Sequence, residues 1–193
     1  MAESKPKPKS GRKAHPLAHF RTITTHRNLV CRYCFRLGLF RQGLVHDLSK
    51  YGPAEFIPGA RYFQGDRSPN DAERAETGIS QAWLHHKGRN KHHFEYWVDY
   101  VRQPDGHVDY AGHKMPIRYV AEMFCDRIAA CKTYLGDRCT DASPWEYYRK
   151  GKNDIPMHPE TAAELEKMLL ILKDEGEDAA FRHVRCRLKE EKC

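Results

Sequence analysis

PIRYVAEMFCDRIAACKTYL, residues 116–135, is the stretch on which the fold class turns. Val120, Met123, Phe124, Ile128, Cys131 and Leu135 recur three or four residues apart, the spacing of one face of an α-helix. Pro116 suits a first helical position, because its fixed φ is already helical and its missing N–H would have found no partner there. The stretch is too long and too regular in its helical period for a strand. One residue is out of keeping with the apolar run: Asp126.

The same period appears on both sides. From Leu17 to Leu39, Ile23, Val30, Cys34 and Leu37 form an apolar stripe, Gly38 supplies a stop, and His26 falls on the stripe. A shorter helix is predicted from Leu44 to Tyr51, ended by Gly52 and Pro53. Residues 52 to 67, rich in Gly and Pro, read as an irregular crossing segment. Ser68-Pro69-Asn70-Asp71 is a helix start, with an N-cap serine, a first-position proline and an acid at the positive end of the dipole. Ala72, Ala75, Ile79, Trp83 and His86 continue one inward face from it. Gly88 and Asn90 interrupt the pattern, which resumes from His92 to Val101, and Pro104 to His113 reads as a loop. Ser143-Pro144-Trp145-Glu146 reads as a capping box, His158-Pro159-Glu160 opens a helix with Leu165, Leu169 and Leu172 inward, and a last amphipathic piece runs from Ala179 toward Leu188. The expectation is an all-α helical bundle with no significant sheet.

Length and charge bound the rest. A chain of 193 residues buries a core without extra staples, so one domain over 15–193 with its C-terminal helices is expected, preceded by a disordered basic tail over 1–14. Residues 1–13 hold five basic residues against Glu3, which takes +4 of the net +7 and leaves +3 for everything else. That balance argues against nucleic acid as a partner. No run of residues is apolar enough to span a bilayer and no secretory signal opens the chain, so the expected compartment is the cytoplasm, with no membrane partner. Seven cysteines then read as free thiols. Cys31 and Cys34 form a C-x-x-C, but no second pair completes a zinc set, and small core-facing residues are the plainer reading. Oligomeric state is not legible.

The chemistry concentrates in HDLSK, residues 46–50. On a helix, His46 and Asp47 offer a neutral imidazole nitrogen and an anionic oxygen toward one point, a pairing that suits a divalent ion. Lys50 lies one turn beyond, placed to meet an anionic ligand. His26, His86 and Asp126 each put a polar group on an apolar face of a different helix, where it costs several kcal/mol unless paired, neutralised or bound to a cation. For each alone, a hydrogen-bonded core histidine or a salt-bridged aspartate is the plain alternative; together they point to a metal. Histidines 85, 86, 92 and 93 leave more than one reading open: a second metal, a solvated basic loop, or a substrate-binding turn in which Lys87, Arg89 and Lys91 meet an anion. Which of each adjacent pair coordinates is also open. Tyr51 and Glu55 are close enough in sequence to support the ligands, with exposure the default for Glu55.

The order His26, then His46-Asp47, then the histidine cluster, then Asp126 in CDRIAA resembles the HD-domain superfamily, helical metalloproteins that include phosphohydrolases, cyclic-dinucleotide phosphodiesterases and a few di-iron oxygenases. HDLSK is similar to the H-D-x-G-K of the phosphodiesterase branch, and the likeness spans about residues 20 to 135. It implies a bundle of the HD-domain kind in which His26, His46, Asp47 and Asp126 hold a first divalent ion, with Mn, Fe, Co, Ni, Mg and Zn all open. Asp47 would bridge to a second ion held by His86 with His92 or His93. The implied activity is hydrolysis of a nucleotide or small phosphate ester, with Asp47, Lys50 and Arg89 in catalytic roles and Arg127 a further candidate to offset phosphoryl charge. One departure stands: His86 and His93 are seven residues apart, where two-metal members space these ligands on separate helices. A mixed-valent di-iron oxygenase and a non-catalytic metal-binding module are the alternatives on the same ligands.

Overall fold

The computed structural model describes residues 13–191, and among them the chain is mainly helical. The tail expected to be disordered lies almost wholly outside the described residues. The first helix, α1 (Pro16–Arg36), turns His19, Ile23, His26, Val30, Tyr33 and Cys34 inward. After α2 (Phe40–Val45) comes a 3-10 turn over Leu48–Tyr51, then α3 (Pro53–Arg61), α4 (Pro69–Thr77) and α5 (Gln81–Lys87). A two-stranded antiparallel hairpin follows, β1 (Val98–Arg102) with β2 (Val108–Gly112), Tyr100 opposite Tyr110. The remainder is α6 (Ile117–Leu135), α7 (Ser143–Arg149), α8 (Pro159–Glu175) and α9 (Glu177–Glu190). No helix among the described residues is long and apolar enough to cross a membrane.

The apolar core lies on one side of α6. Val30, Tyr33 and Cys34 of α1 meet Phe124 and Ile128 of α6, Leu165 and Leu169 of α8, and Phe181 and Val184 of α9. Burying side chains of this size is worth about 1.5–3 kcal/mol each, so this cluster fixes α1 against α6. The two helices then carry their polar residues, His26 and Asp126, to the other side of the same contact. On that side α2, α3 and α5 close over them. α2 approaches α1 through Gly43, where a Cβ would lie 2.9 Å from Cys34 Cβ and 3.2 Å from the Cys31 carbonyl oxygen. Cys34 is fully buried and Cys31 partly so, as small packing residues.

Several expected boundaries move. The helix expected from Leu44 to Tyr51 is two elements: α2 ends at Val45, and the chain turns through His46 and Asp47 before the 3-10 turn. The stretch 52–67 is not irregular. Pro53 opens α3, which runs on through Pro58 at the loss of one backbone hydrogen bond. The single inward face from Ala72 to His86 is broken at Gly78 (φ +80°) and restarted by Ser80, whose Oγ accepts from Trp83 N at 3.0 Å. Ile79 is exposed as a result. Residues 92–101 do not resume a helix and 104–113 are not only loop, since Val98, Tyr100 and Val101 are β-formers and Asp105-Gly106 turns the chain into β2. Ser143 makes no capping box; its Oγ accepts from Thr140 N at 2.9 Å, and α7 starts without a side-chain cap.

Candidate metal centre

His26 reaches the centre because it sits one helical turn before Val30 on the buried face of α1. His46 is the residue at which α2 stops, with φ −51° and ψ 126°, and its N–H still donates to Gln42 O at 2.8 Å. Asp47 then takes the left-handed conformation (φ 54°, ψ 22°), the one non-glycine residue with positive φ among those described. This reversal turns both side chains inward, to about 1% exposure each. The expectation that a helix presents the pair is therefore wrong in its means: a break in the helix presents it. His86 comes from the last turn of α5, His92 and His93 from the loop after it, and Asp126 from the middle of α6.

The atoms gather around Asp47. On the Oδ2 side, His26 Nε2 lies at 3.7 Å and His46 Nε2 at 3.4 Å, while Asp126 Oδ1 is 2.9 Å from His26 Nε2 and 3.6 Å from His46 Nε2. On the Oδ1 side, His86 Nε2 lies at 3.3 Å and His92 Nε2 at 3.5 Å, with His93 Nε2 2.9 Å from His86 Nε2. Ligands about 2.1 Å from one ion stand about 3.4 Å apart at a tetrahedral edge and about 3.0 Å apart at an octahedral one. The observed separations, from 2.9 to 3.7 Å, bracket those values. Each group of four can hold an ion, and Asp47 belongs to both.

A second property separates these atoms from an ordinary polar cluster. His26 Nε2, His46 Nε2, His92 Nε2 and both Asp47 oxygens are sealed from solvent and make no hydrogen bond of acceptable geometry. Buried polar atoms left unpaired cost about 1–3 kcal/mol each. These share one feature: each is a ring nitrogen or carboxylate oxygen that faces the space around Asp47. The donor set is the one a divalent cation requires.

The other nitrogens of the same rings are anchored. Glu122 Oε1 is 3.0 Å from His46 Nδ1 and 3.3 Å from His92 Nδ1, while Glu122 Oε2 accepts from Gln42 Nε2 at 2.7 Å. Glu55 Oε2 accepts from His86 Nδ1 at 2.7 Å and Glu55 Oε1 from His85 Nδ1 at 2.6 Å. An imidazole that donates from Nδ1 to a carboxylate keeps its lone pair on Nε2 and is the more basic for it. The third group of potential ligands, His46, His92 and Glu122, is thus better read as this support than as another ion site.

Charge in the centre is sorted accordingly. Burial works against ionised Asp47, yet His46, Lys50 and His86 hold it well below the usual carboxylate range. Asp126 is likewise held down against burial by its contacts with His26 and His46, and Glu122 falls to about 2 against burial through His46 and His92. His46 rises to about 10, because Asp47, Asp126 and Glu122 outweigh its burial. Burial dominates for His26 and His93 and lowers both, which keeps them neutral. Lys50 Nζ lies 2.6 Å from Asp47 Oδ2, and its pKa is raised, with Asp47 prevailing over burial.

Of the expected residues, His26, His46, Asp47, His86, His92, His93 and Asp126 converge, and Lys50 touches the cluster. Between adjacent histidines, His86 faces the centre and His85 turns to Glu55, whereas His92 and His93 both enter. Arg89 does not join them: it is exposed and donates to the His85 carbonyl at 3.2 Å. Glu55, expected at the surface, is 5% exposed and anchors two imidazoles. Tyr51 turns instead to Thr24, its hydroxyl 3.0 Å from Thr24 Oγ1. Glu122 and Gln42 were not foreseen. The signal for Glu122 was present, since it stands one turn before Asp126 inside the apolar run from Val120 to Phe124.

Residues 15–171 match the model of DUF5662, a family of unknown function. The chain belongs to this family. Every ligand candidate of this DUF5662 member and both anchoring glutamates lie within the matched segment, while α9 falls beyond it. No curated protein and no solved structure matches the chain.

Proposed function

We propose that this protein is a metal-dependent phosphohydrolase acting on a nucleotide or small phosphate ester, through a dinuclear His/Asp centre of the HD-domain kind. The observation that carries the reading is Asp47, whose two buried oxygens each face a separate set of imidazole nitrogens, with Lys50 Nζ 2.6 Å from Oδ2. Two divalent ions there would supply an activated water near neutral pH and Lewis acidity toward both oxygens of an in-line displacement. His26, His46 and Asp126 would hold one ion, His86, His92 and His93 the other, and Asp47 both. The nitrogen-rich set favours Mn, Fe, Co, Ni or Zn over Mg. The remaining work falls to the chain. Glu122 and Glu55 fix the imidazoles in the tautomer that presents Nε2. Asp126, 18% exposed at its side chain, marks the open side by which water and substrate enter. Lys50, held cationic by Asp47, is placed to offset charge that grows on the phosphoryl oxygens. Arg89 is left out of this scheme by its position. The reducing cytoplasm is the compartment that suits the six cysteines standing free among the described residues.

The test is phosphate release from a panel of nucleotides and small phosphate esters, by purified protein loaded with each of Mn, Co, Ni, Fe and Zn, with His46→Ala as control. Metal-dependent release that the control lacks is expected; no release across the panel defeats the hydrolase. A mixed-valent di-iron oxygenase is the second reading, favoured by five imidazoles among the ligand candidates. Substrate-dependent oxygen uptake and a mixed-valent paramagnetic signal, after anaerobic iron loading and exposure to oxygen, would establish it. If metal binds and neither chemistry occurs, a metal-binding module remains.

A further inference from the structure

Large apolar side chains stand in the open along one side of the α1–α2 pair. Phe20, Phe35, Phe40, Leu44 and Leu48 are each between 42% and 57% exposed. Measured contacts join them into one face. At one end the rings of Phe35 and Phe40 meet edge to face, their centroids 5.1 Å apart. From Phe40 the chain runs back along α1. Arg27 donates to the Leu44 carbonyl at 2.5 Å, the Tyr51 hydroxyl lies 3.0 Å from Thr24 Oγ1, and the Tyr51 ring centroid is 5.8 Å from that of Phe20. Leu48 falls between Leu44 and Tyr51, and the face extends about 22 Å along α1 from Phe20 to Phe35. Half-exposed side chains of this size leave about 500 Å² of apolar surface open to water. That is toward the top of the range of about 300–600 Å² for the largest such patch on a soluble monomer. Between Leu44 and Leu48, His46 and Asp47 turn inward, so the face is the outer wall of the metal centre.

The charge on this side has a single sign. No Asp or Glu occurs between Glu3 and Asp47, while Lys and Arg recur throughout. Arg21, Arg32 and Arg41 stand beside Phe20, Phe35 and Phe40, and all three are exposed. Arg36, further round α1, is taken up by Glu177 and Asp178, whereas these three have no such partner among the described residues. The occupant must therefore offer apolar groups edged by negative charge. A second copy would set arginines against arginines, which opposes pairing. A nucleic acid would meet the arginines and leave Leu44 and Leu48 without a counterpart. An acidic protein surface would match the arginines, but the positive charge does not stop at the face: Lys5, Lys7, Lys9, Arg12 and Lys13 lead into α1 in the sequence. A polybasic run adjoining an apolar face is the pair of signals that together hold a protein on anionic lipid.

We propose that this face docks the protein on an anionic lipid surface. Its phenylalanines and leucines enter the boundary between headgroups and acyl chains, and Arg21, Arg32 and Arg41 meet the lipid phosphates and carboxylates. The expectation of no membrane partner rested on the lack of a spanning run, and lying on a membrane requires none. The proposal does not depend on the phosphohydrolase reading.

The full chain is sedimented with vesicles of phosphatidylcholine alone and with vesicles that contain about one-third phosphatidylserine. Binding to the second, weakened by salt, is expected. Phe40→Gln combined with Leu44→Gln should weaken it about 10- to 100-fold, and Arg32→Gln combined with Arg41→Gln about 5- to 30-fold. Circular dichroism checks that both variants are folded, and since the replaced side chains are exposed, both should be. Wild type that stays in solution, or that binds both vesicles equally, overturns the proposal. So does a folded Phe40→Gln, Leu44→Gln variant that binds as the wild type does, because charge alone would then hold the protein. If light scattering finds a dimer that this variant dissolves and the vesicles remain unbound, the face pairs with a second copy and the lipid assignment is wrong. Binding of a soluble acidic amphipathic peptide, with the vesicles again unbound, would overturn it in favour of a protein partner.

Discussion

Glu122→Gln is the substitution that most directly tests how the centre is built, because one carboxylate oxygen serves an imidazole on each side of Asp47. Glu122 Oε1 meets His46 Nδ1 at 3.0 Å and His92 Nδ1 at 3.3 Å, and Oε2 meets Gln42 Nε2 at 2.7 Å. A glutamine has the same shape but no charge. Its amide oxygen can continue to face the two imidazoles only by setting its NH2 against the NH2 of Gln42. Gln42 is not free to turn over, since its Nε2 also donates to the Arg118 carbonyl at 3.0 Å. Either the imidazoles lose their acceptor or two donors collide, and in both cases His46 and His92 become weaker and less well-oriented ligands. Loss of such a support typically costs 10- to 100-fold in metal affinity, or about 1.4–2.7 kcal/mol. Because His46 belongs to one set and His92 to the other, both binding steps should weaken. Metal-stripped wild type and variant are titrated with zinc against a chromophoric chelator, with circular dichroism as the check on folding. If the variant is folded and both affinities lie within about twofold of the wild type, Glu122 does not prepare the ligands and the account of the anchored imidazoles is wrong.

The remaining predictions concern the ligands, the packing beneath them and pH. His86→Ala combined with His93→Ala should reduce the metal content from two equivalents to one, and His26→Ala should remove the other; elemental analysis that shows an unchanged content in either variant counts against two separate positions. Saturating metal should raise the unfolding free energy by about 2.7 kcal/mol at a hundredfold excess over Kd, visible as a higher Tm that a chelator reverses. Gly43→Ala should destabilise the fold by about 1–3 kcal/mol in urea titration, since its Cβ would press on Cys34 Cβ at 2.9 Å, whereas a gain in stability would refute the close approach of α2 to α1. His19, with its pKa lowered to about 4 by burial and then by Lys50, is neutral in the fold, and so it favours the folded state above its ordinary 6.5 and loses that contribution as pH falls from there toward 4. The loss is about 1–3 kcal/mol after allowance for screening, and the difference in stability between pH 7.5 and 4.5 should shrink by that amount in His19→Gln; an unchanged difference would assign the acid sensitivity elsewhere.

How much of this was legible in the sequence depends on how local the deciding interaction is. Ser68-Pro69, Pro116 and His158-Pro159 each mark a helix start in the structure, because capping and proline geometry act within a single turn. The apolar stripes of α1, α6 and α8 were equally plain, and His26 and Asp126 stood out as polar residues on them. The ends of α2 were not. Phe40, Leu44 and Val45 are exposed although apolar, so the helical period there carries no information about where the helix stops. α3 was hidden by Pro58 and Gly59, whose local preferences oppose a helix and are overridden where Glu55, Gly59 and Ala60 pack inward. The hairpin did have a sequence signature, Asp105-Gly106 between segments of Val and Tyr, but its strands are only five residues each, too short for a firm period of two. Gln42, Glu55 and Glu122 are a different case. Their roles depend on residues brought together from α2, α3, α5 and α6, and no local rule indicates which buried carboxylate an imidazole will find.

The structure concentrates its unfavourable features at one residue. Asp47 adopts a left-handed backbone conformation of the kind that costs of order 1–3 kcal/mol outside glycine. Its carboxylate is buried and remains ionised, with Lys50 as the cation beside Oδ2 and no hydrogen bond to Oδ1. Asp126, Glu122 and Glu55 add further carboxylates held in their charged form close by. A fold that needed only a stable core could place apolar residues of similar volume here at less cost. What the arrangement offers in return is two concave sets of potential ligand atoms, on rings that are already oriented and hinged on one shared aspartate. Ions bound in both sets would neutralise the buried charge and satisfy the orphan atoms together, so the cost of Asp47 in the metal-free protein is the measure of how far the site has been prepared for them.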